Sequence, residues 1–145
     1  MIAKDFFTQD ELDKIVESIE KAELATSGEI RFHMESRCKG EALNRAIQVF
    51  KNLKMHKTDL HNGTLLYLAT VDKKFAIVGD KGINEKVPDN FWEDVKNEMA
   101  EKFKNNDFVT GISNAVLKIG EKLKEFFPYQ SDDINELSND VSIGE

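Results

Sequence analysis

The stretch from Asn62 to Ile83, NGTLLYLATVDKKFAIVGDKGI, constrains the fold more than any other part of the chain. Thr64-Leu65-Leu66-Tyr67-Leu68 opens a near-continuous apolar run, the pattern of a strand buried on both faces. Val71-Asp72-Lys73-Lys74 interrupts it with charge, Phe75-Ala76-Ile77-Val78 resumes it, and Gly79-Asp80-Lys81-Gly82 ends it. The pattern predicts a β-hairpin with a short turn. Antiparallel pairing then brings Asp59 and Asn62, before the first strand, beside Gly79 and Asp80 at the end of the second, with Asp72 at the opposite end.

The flanking segments supply the layers that such a hairpin needs. Thr8-Gln9-Asp10-Glu11 has capping-box spacing, so a helix starts there, with Leu12, Ile15, Val16, Ile19 and Ala22 on one face, and stops at Thr26-Ser27-Gly28. Glu29 to Glu35 alternates as a strand with one wet face: Ile30, Phe32 and Met34 point one way, and Glu29, Arg31, His33 and Glu35 the other. His33 reads as a cross-strand polar partner more readily than as a metal ligand or proton carrier. Glu41 to Met55 returns to helical spacing, with Ala42, Leu43, Ala46, Ile47, Phe50 and Leu53 as its apolar stripe. A strand, a crossover helix and a second strand predict a parallel pair, with Gly28 and Glu29 near Asn62 and Asp80.

Beyond the hairpin, Pro88 suits the first turn of a third helix carrying Phe91, Trp92, Val95, Met99 and Phe103. Asp107 is a natural N-cap for a fourth, in which Ile112, Val116, Ile119, Leu123 and Phe126 recur at helical spacing. Phe127-Pro128-Tyr129 stops it. The expected architecture is a single α/β domain over residues 1–129, a mixed sheet flanked by helices in the order α-β-α-β-β-α-α. Residues 130–145, with five acidic residues and no Lys or Arg, read as a largely mobile acidic tail.

Charge and composition narrow the function classes. The net charge of −7, much of it in the tail, argues against nucleic acid and anionic membrane surfaces as partners and makes cations more natural ligands. No apolar run approaches the roughly 20 residues needed to span a bilayer, and the N-terminus lacks the pattern of a signal peptide, so a cytoplasmic location and no membrane insertion are expected. The single cysteine, Cys38, reads as a partly buried thiol without a role. The sequence contains no phosphate-binding Gly loop, zinc-spaced Cys or His pair, nucleophile elbow or EF-hand loop.

Oxygen chemistry remains. Asp59, Asn62 and Asp80, with Glu29, would gather side-chain oxygens at one end of the sheet, the donors that Ca²⁺ and Mg²⁺ prefer. At the other end Asp72 meets Glu35 and Ser36, and Asp107 arrives there if the third helix runs back along the strand before it; ligands of open α/β sheets favour such strand ends. Both sites stay open at this point, against the ordinary use of Asp and Asn in turns and caps.

Several runs together resemble the TPM domain: Gly28-Glu29-Ile30-Arg31-Phe32-His33-Met34-Glu35; Met55-His56-Lys57-Thr58 leading to Asn62-Gly63-Thr64-Leu65-Leu66-Tyr67-Leu68-Ala69; Phe75-Ala76-Ile77-Val78-Gly79-Asp80-Lys81-Gly82-Ile83; and later Phe91-Trp92, Asp107-Phe108, Phe127-Pro128 and Asp132-Asp133-Ile134-Asn135-Glu136-Leu137. The resemblance implies a mixed sheet flanked by helices and an association with divalent cations. In the plant members it extends to phosphatase activity on phosphoesters. The chain is similar to the short soluble bacterial type, whose acidic motif at Asp132 to Leu137 is expected to dock on the body. Three readings follow: a divalent-cation binder, a weak metal-assisted acid phosphatase in which Asp80 and Asp59 hold the cation and Lys81 or Arg31 the phosphate, and a protein interaction module.

Overall fold

The computed structural model describes residues 1–129 and 139–144. A short helix α1 (Ala3–Phe6) precedes α2 (Gln9–Glu23), followed by β1 (Glu29–Glu35), α3 (Ala42–Asn52), a 3₁₀ turn at Met55–Lys57, and the hairpin β2 (Gly63–Ala69) and β3 (Lys74–Gly79). A one-turn helix α4 (Lys81–Asn84) leads to α5 (Phe91–Lys104), α6 (Phe108–Phe126) and a last strand β4 (Ser142–Ile143). The expected order holds, with α1, α4 and β4 added.

The four strands lie in the order β3-β2-β1-β4. β1 runs parallel to β2 in a register from Glu29↔Gly63 to Glu35↔Ala69, and β2 pairs antiparallel with β3 from Thr64↔Gly79 to Ala69↔Lys74. α3 makes the crossover that the parallel pair requires. β4 adds to the free edge of β1, with His33 opposite Ser142 and Met34 opposite Ile143. Ser142 and Ile143 of the acidic tail are therefore part of the sheet, whereas the motif expected to dock at Asp132 to Leu137 lies outside the described residues.

Two cores sit on the two faces of the sheet. Ile30, Phe32, Met34, Leu66 and Leu68 pack against α2, α5 and α6, where Ile15, Ile19, Val95, Met99, Ile112, Val116, Ile119 and Leu123 are buried. Removing such a side chain back to alanine costs about 2–5 kcal/mol, so this face carries much of the stability. Gly120 sets the spacing of α2 and α6, since a Cβ there would lie 2.6 Å from that of Ala22. The capping box at the start of α2 is complete, with the Glu11 N–H donating to Thr8 Oγ1 at 3.1 Å and the Thr8 N–H to Glu11 Oε1 at 2.8 Å. The smaller core joins Leu65, Tyr67, Ala69 and Ala76 to Ala46, Val49 and Phe50 of α3, with Cys38 and Met55.

Three expectations need correction. The outer face of β1 is not wet: Glu29, His33 and Glu35 are only 3%, 7% and 3% exposed. They lie on the α3 side of the sheet, where Arg45 meets the Glu35 carboxylate and Ser142 meets the His33 ring, which makes the burial of those two tolerable. The apolar stripe of α3 is rotated, so that Val49 joins Ala46 and Phe50 inside while Leu43 and Ile47 stay 49% and 38% exposed. Pro88 also sits ahead of the helix, its carbonyl accepting from the Phe91 N–H at 3.0 Å where α5 begins.

Candidate functional site

At one end of the sheet, the turn through Asp59 folds onto the start of α4. The Gly82 N–H donates to the His61 carbonyl at 2.9 Å, and the Asp80 N–H to the Gly63 carbonyl at 3.0 Å. Gly82 is required here, because a Cβ would lie 2.3 Å from the Leu60 carbonyl oxygen. Asp80 is the N-cap of α4: Oδ1 accepts from the Lys81 N–H at 2.8 Å, while Oδ2 faces His61 Nδ1 at 3.3 Å. Asp59 is exposed in the same turn. Asn62 behaves differently from expectation, being 2% exposed with Nδ2 donating to Ser27 Oγ at 3.4 Å. Its amide braces the approach to β1, and Glu29 lies nearby through its N–H on the Asn62 carbonyl at 3.3 Å.

At the other end, α5 does run back along β3, as the ring contacts Phe75 with Phe103 and Phe103 with Phe108 show. Asp107 arrives at this end, but as the exposed N-cap of α6, its Oδ1 accepting from the Thr110 N–H at 3.3 Å. Asp72 Oδ2 accepts from the Cys38 N–H at 2.7 Å and its Oδ1 lies 3.7 Å from Arg37 Nη1. Asp72 thus pins the loop after β1 and already faces a fixed positive charge. Among the described residues, no three His, Cys, Asp or Glu side chains come together in an arrangement that could hold a metal.

The densest polar cluster lies between β1, β2, α3 and β4, and the sequence reading did not assemble it. Arg45 grips Glu35 with both arms, Nε to Oε2 at 2.7 Å and Nη2 to Oε1 at 2.9 Å, and the Tyr67 hydroxyl donates to Oε2 at 2.5 Å. His33 lies over Tyr67 with rings nearly parallel, its Nδ1 hydrogen-bonded to Ser142 Oγ at 2.9 Å and its Nε2 3.5 Å from Glu35 Oε1. Burial alone would raise the Glu35 pKa, but the Arg45 and Tyr67 hydrogen bonds and the Arg45 charge outweigh it and hold the carboxyl at about 2. Burial lowers the His33 pKa below its ordinary value, against the pull of Glu35. Burial, then the hydrogen bond to Glu35, raises that of Tyr67. Both Glu35 oxygens are occupied, so the cluster ties α3 and β4 to β1 as a closed ionic network, not as a reactive group aimed at a ligand.

A second perturbed carboxyl closes α2. Glu23 Oε2 accepts from the Ile30 N–H at 2.8 Å, and burial, with Glu29 and Glu20 adding repulsion, pushes its pKa up to about 7.

Residues 2–122 match the TPM domain. The chain belongs to the TPM domain family. The solved structure of the BA42 protein from the psychrophilic bacterium Bizionia argentinensis is similar over 97% of both chains, at 45% identity and a TM-score of 0.89. The N-terminal domain of the cg2496 protein from Corynebacterium glutamicum, at 12% identity and a TM-score of 0.66, covers 90% of this chain and 81% of its own. The N-terminal domain of a P. gingivalis protein, at 14% identity and 0.69, covers 87% and 83%. Those two establish the fold alone. No curated protein matches the chain. In this TPM domain, no helix among the described residues is long and apolar enough to cross a membrane.

Proposed function

We propose that this TPM-domain protein binds a divalent cation, Ca²⁺ or Mg²⁺, weakly and through oxygen atoms at the Asp59–Asp80 end of the sheet. One observation carries the reading: the turn containing Asp59 is hydrogen-bonded onto the segment that begins at Asp80, so two carboxylates from distant parts of the chain share one loop cluster. The Leu60 carbonyl, pressed against Gly82, adds an oxygen of the type hard cations accept. Two carboxylates and a carbonyl leave most of the coordination shell to water, which places the expected affinity in roughly the millimolar range. The Asp72 end is the weaker candidate, because a cation there competes with Arg37.

Asp80→Asn tests this without unfolding the site, since asparagine caps a helix as well as aspartate does. Calorimetric titration with Ca²⁺ is expected to show affinity lost in Asp80→Asn and Asp59→Asn and kept in Asp72→Asn. Unchanged affinity in the first two overturns the assignment. Assay with a generic aryl phosphate, with and without chelator, separates a binder, which shows no turnover, from a phosphatase.

A further inference from the structure

We propose that the outer edge of β3 is a docking site for an extended segment of a partner protein in which apolar residues alternate with acidic ones. The site is separate from the cation reading and does not depend on it.

The ladder shows which groups of β3 are free to pair outward. The Asp80 N–H bonds to Gly63, so residues 80, 78, 76 and 74 turn their backbone groups toward β2, and 79, 77 and 75 turn theirs away. Gly79 confirms the parity, since its carbonyl accepts from Asn84 Nδ2 at 2.8 Å on the far side. Phe75 and Ile77 therefore present their N–H and C=O groups along the edge of the sheet, with β3 the terminal strand on that side. Edge strands are normally blunted by proline, bulges or charge, yet Phe75-Ala76-Ile77-Val78 is four apolar residues in sequence.

The surroundings form a groove and not a flat edge. A cavity of about 690 Å³ runs along Lys73 to Ile77 between the start of α3 and the start of α5, with Leu43 on one wall and Trp92 on the other. Leu43 and Ile47 are the two α3 residues whose exposure the core does not explain. An added strand would lay alternate side chains against Leu43 on one face and Trp92 on the other, while its backbone pairs with Phe75 and Ile77.

Charge selects the occupant. Lys73, Lys74 and Lys96 line this groove against Glu41 and Glu93. By contrast, the groove between α2 and the C-terminal strand carries Asp13, Glu17, Glu20 and Asp140 and no basic residue. Lys74 Nζ is held by the Cys38 and Gly40 carbonyls, so in a chain of net charge −7 the β3 groove carries an excess of one positive charge, with Lys73 and Lys96 placed to meet acidic side chains on the incoming strand.

The test titrates isotope-labelled protein with a capped peptide of about ten residues, valine alternating with glutamate, and with its counterpart carrying lysine for glutamate. Saturable shifts at the Phe75 and Ile77 amides and the Trp92 indole with the glutamate peptide are expected. The lysine peptide should bind at least about tenfold more weakly. Ile77→Pro removes an outward donor while leaving the ladder to β2 in place, and Leu43→Glu alters the wall while leaving the strand untouched. Each is expected to weaken the glutamate peptide at least about tenfold. No saturable shift up to ~1 mM overturns the proposal, as do shifts away from β3 or equal binding of the lysine peptide. Shifts of the same amides with protein concentration alone overturn the choice of occupant in favour of a second copy.

Discussion

Arg45 on α3 and Glu35 at the end of β1 form a two-armed ion pair, 2.7 and 2.9 Å long, in which the carboxylate is almost wholly buried and the guanidinium partly exposed. Breaking a buried pair by removing one partner leaves an uncompensated charge and typically costs ~3–5 kcal/mol. Water reaches Arg45, so Arg45→Ala is expected to lose about 2–4 kcal/mol in urea unfolding, and Arg45→Met with Glu35→Gln together less than the sum of the single changes. Additive losses would mean that the two groups act independently.

Glu23 and Glu35 give opposite pH dependences. A carboxyl with a raised folded-state pKa contributes stability that is complete below the unfolded value of 4.5 and is lost as pH rises through about 7, which is the case of Glu23. Glu23→Gln keeps an acceptor for the Ile30 N–H and removes that loss. It is expected to be more stable than the parent by about 2–3 kcal/mol at pH 8 and nearly equal to it at pH 4. Glu35, held at about 2, contributes stability present above 4.5 and lost as pH falls through 2, so Glu35→Gln narrows its deficit only in strong acid. Chemical unfolding across that range checks both signs.

Gly79→Ala should displace Trp92. A Cβ at Gly79 would meet Trp92 Cζ2 at 2.4 Å, and the indole is also held by its N–H donating to Asn84 Oδ1 at 2.8 Å. Overpacking of this kind costs about 1–3 kcal/mol. The protein has one tryptophan, so a red-shifted emission maximum reports the displacement directly.

Removal of residues 139–145 takes away Ser142 and Gly144, which lies against the His33 ring and Glu35. Burial is what lowers the His33 pKa, so the truncation is expected to raise it toward the ordinary histidine value, read from the imidazole proton shifts. A base with a lowered folded-state pKa contributes stability present above its unfolded value and lost as pH falls through the folded one. The parent should therefore lose more stability than the truncated chain as pH falls below about 6.5.

Local pattern made the helices, the hairpin and the parallel pairing of β1 with β2 readable from the sequence, because capping, apolar periodicity and crossover rules act within a few residues or fix topology. The Glu35 network needed more. It depends on the register that sets His33 beside Tyr67, on the rotation of α3 that points Arg45 inward, and on a two-residue strand from the far end of the chain. Alternation of Glu29, Arg31, His33 and Glu35 reads as a wet face unless those partners are known. The candidate ligands show the opposite limit. Asp80 and Asp107 lie where placement put them, but capping occupies one oxygen of each, and Asn62 turns inward to Ser27.

The cation proposal is tested most directly by following the backbone amides of labelled protein, residue by residue, through titration with Ca²⁺ and then Mg²⁺. Saturable shifts confined to Asp59–Gly63 and Asp80–Gly82, and abolished by Asp80→Asn, are the expected result. The absence of any saturable shift at millimolar cation, or shifts gathered around Asp72 and Asp107, would contradict it.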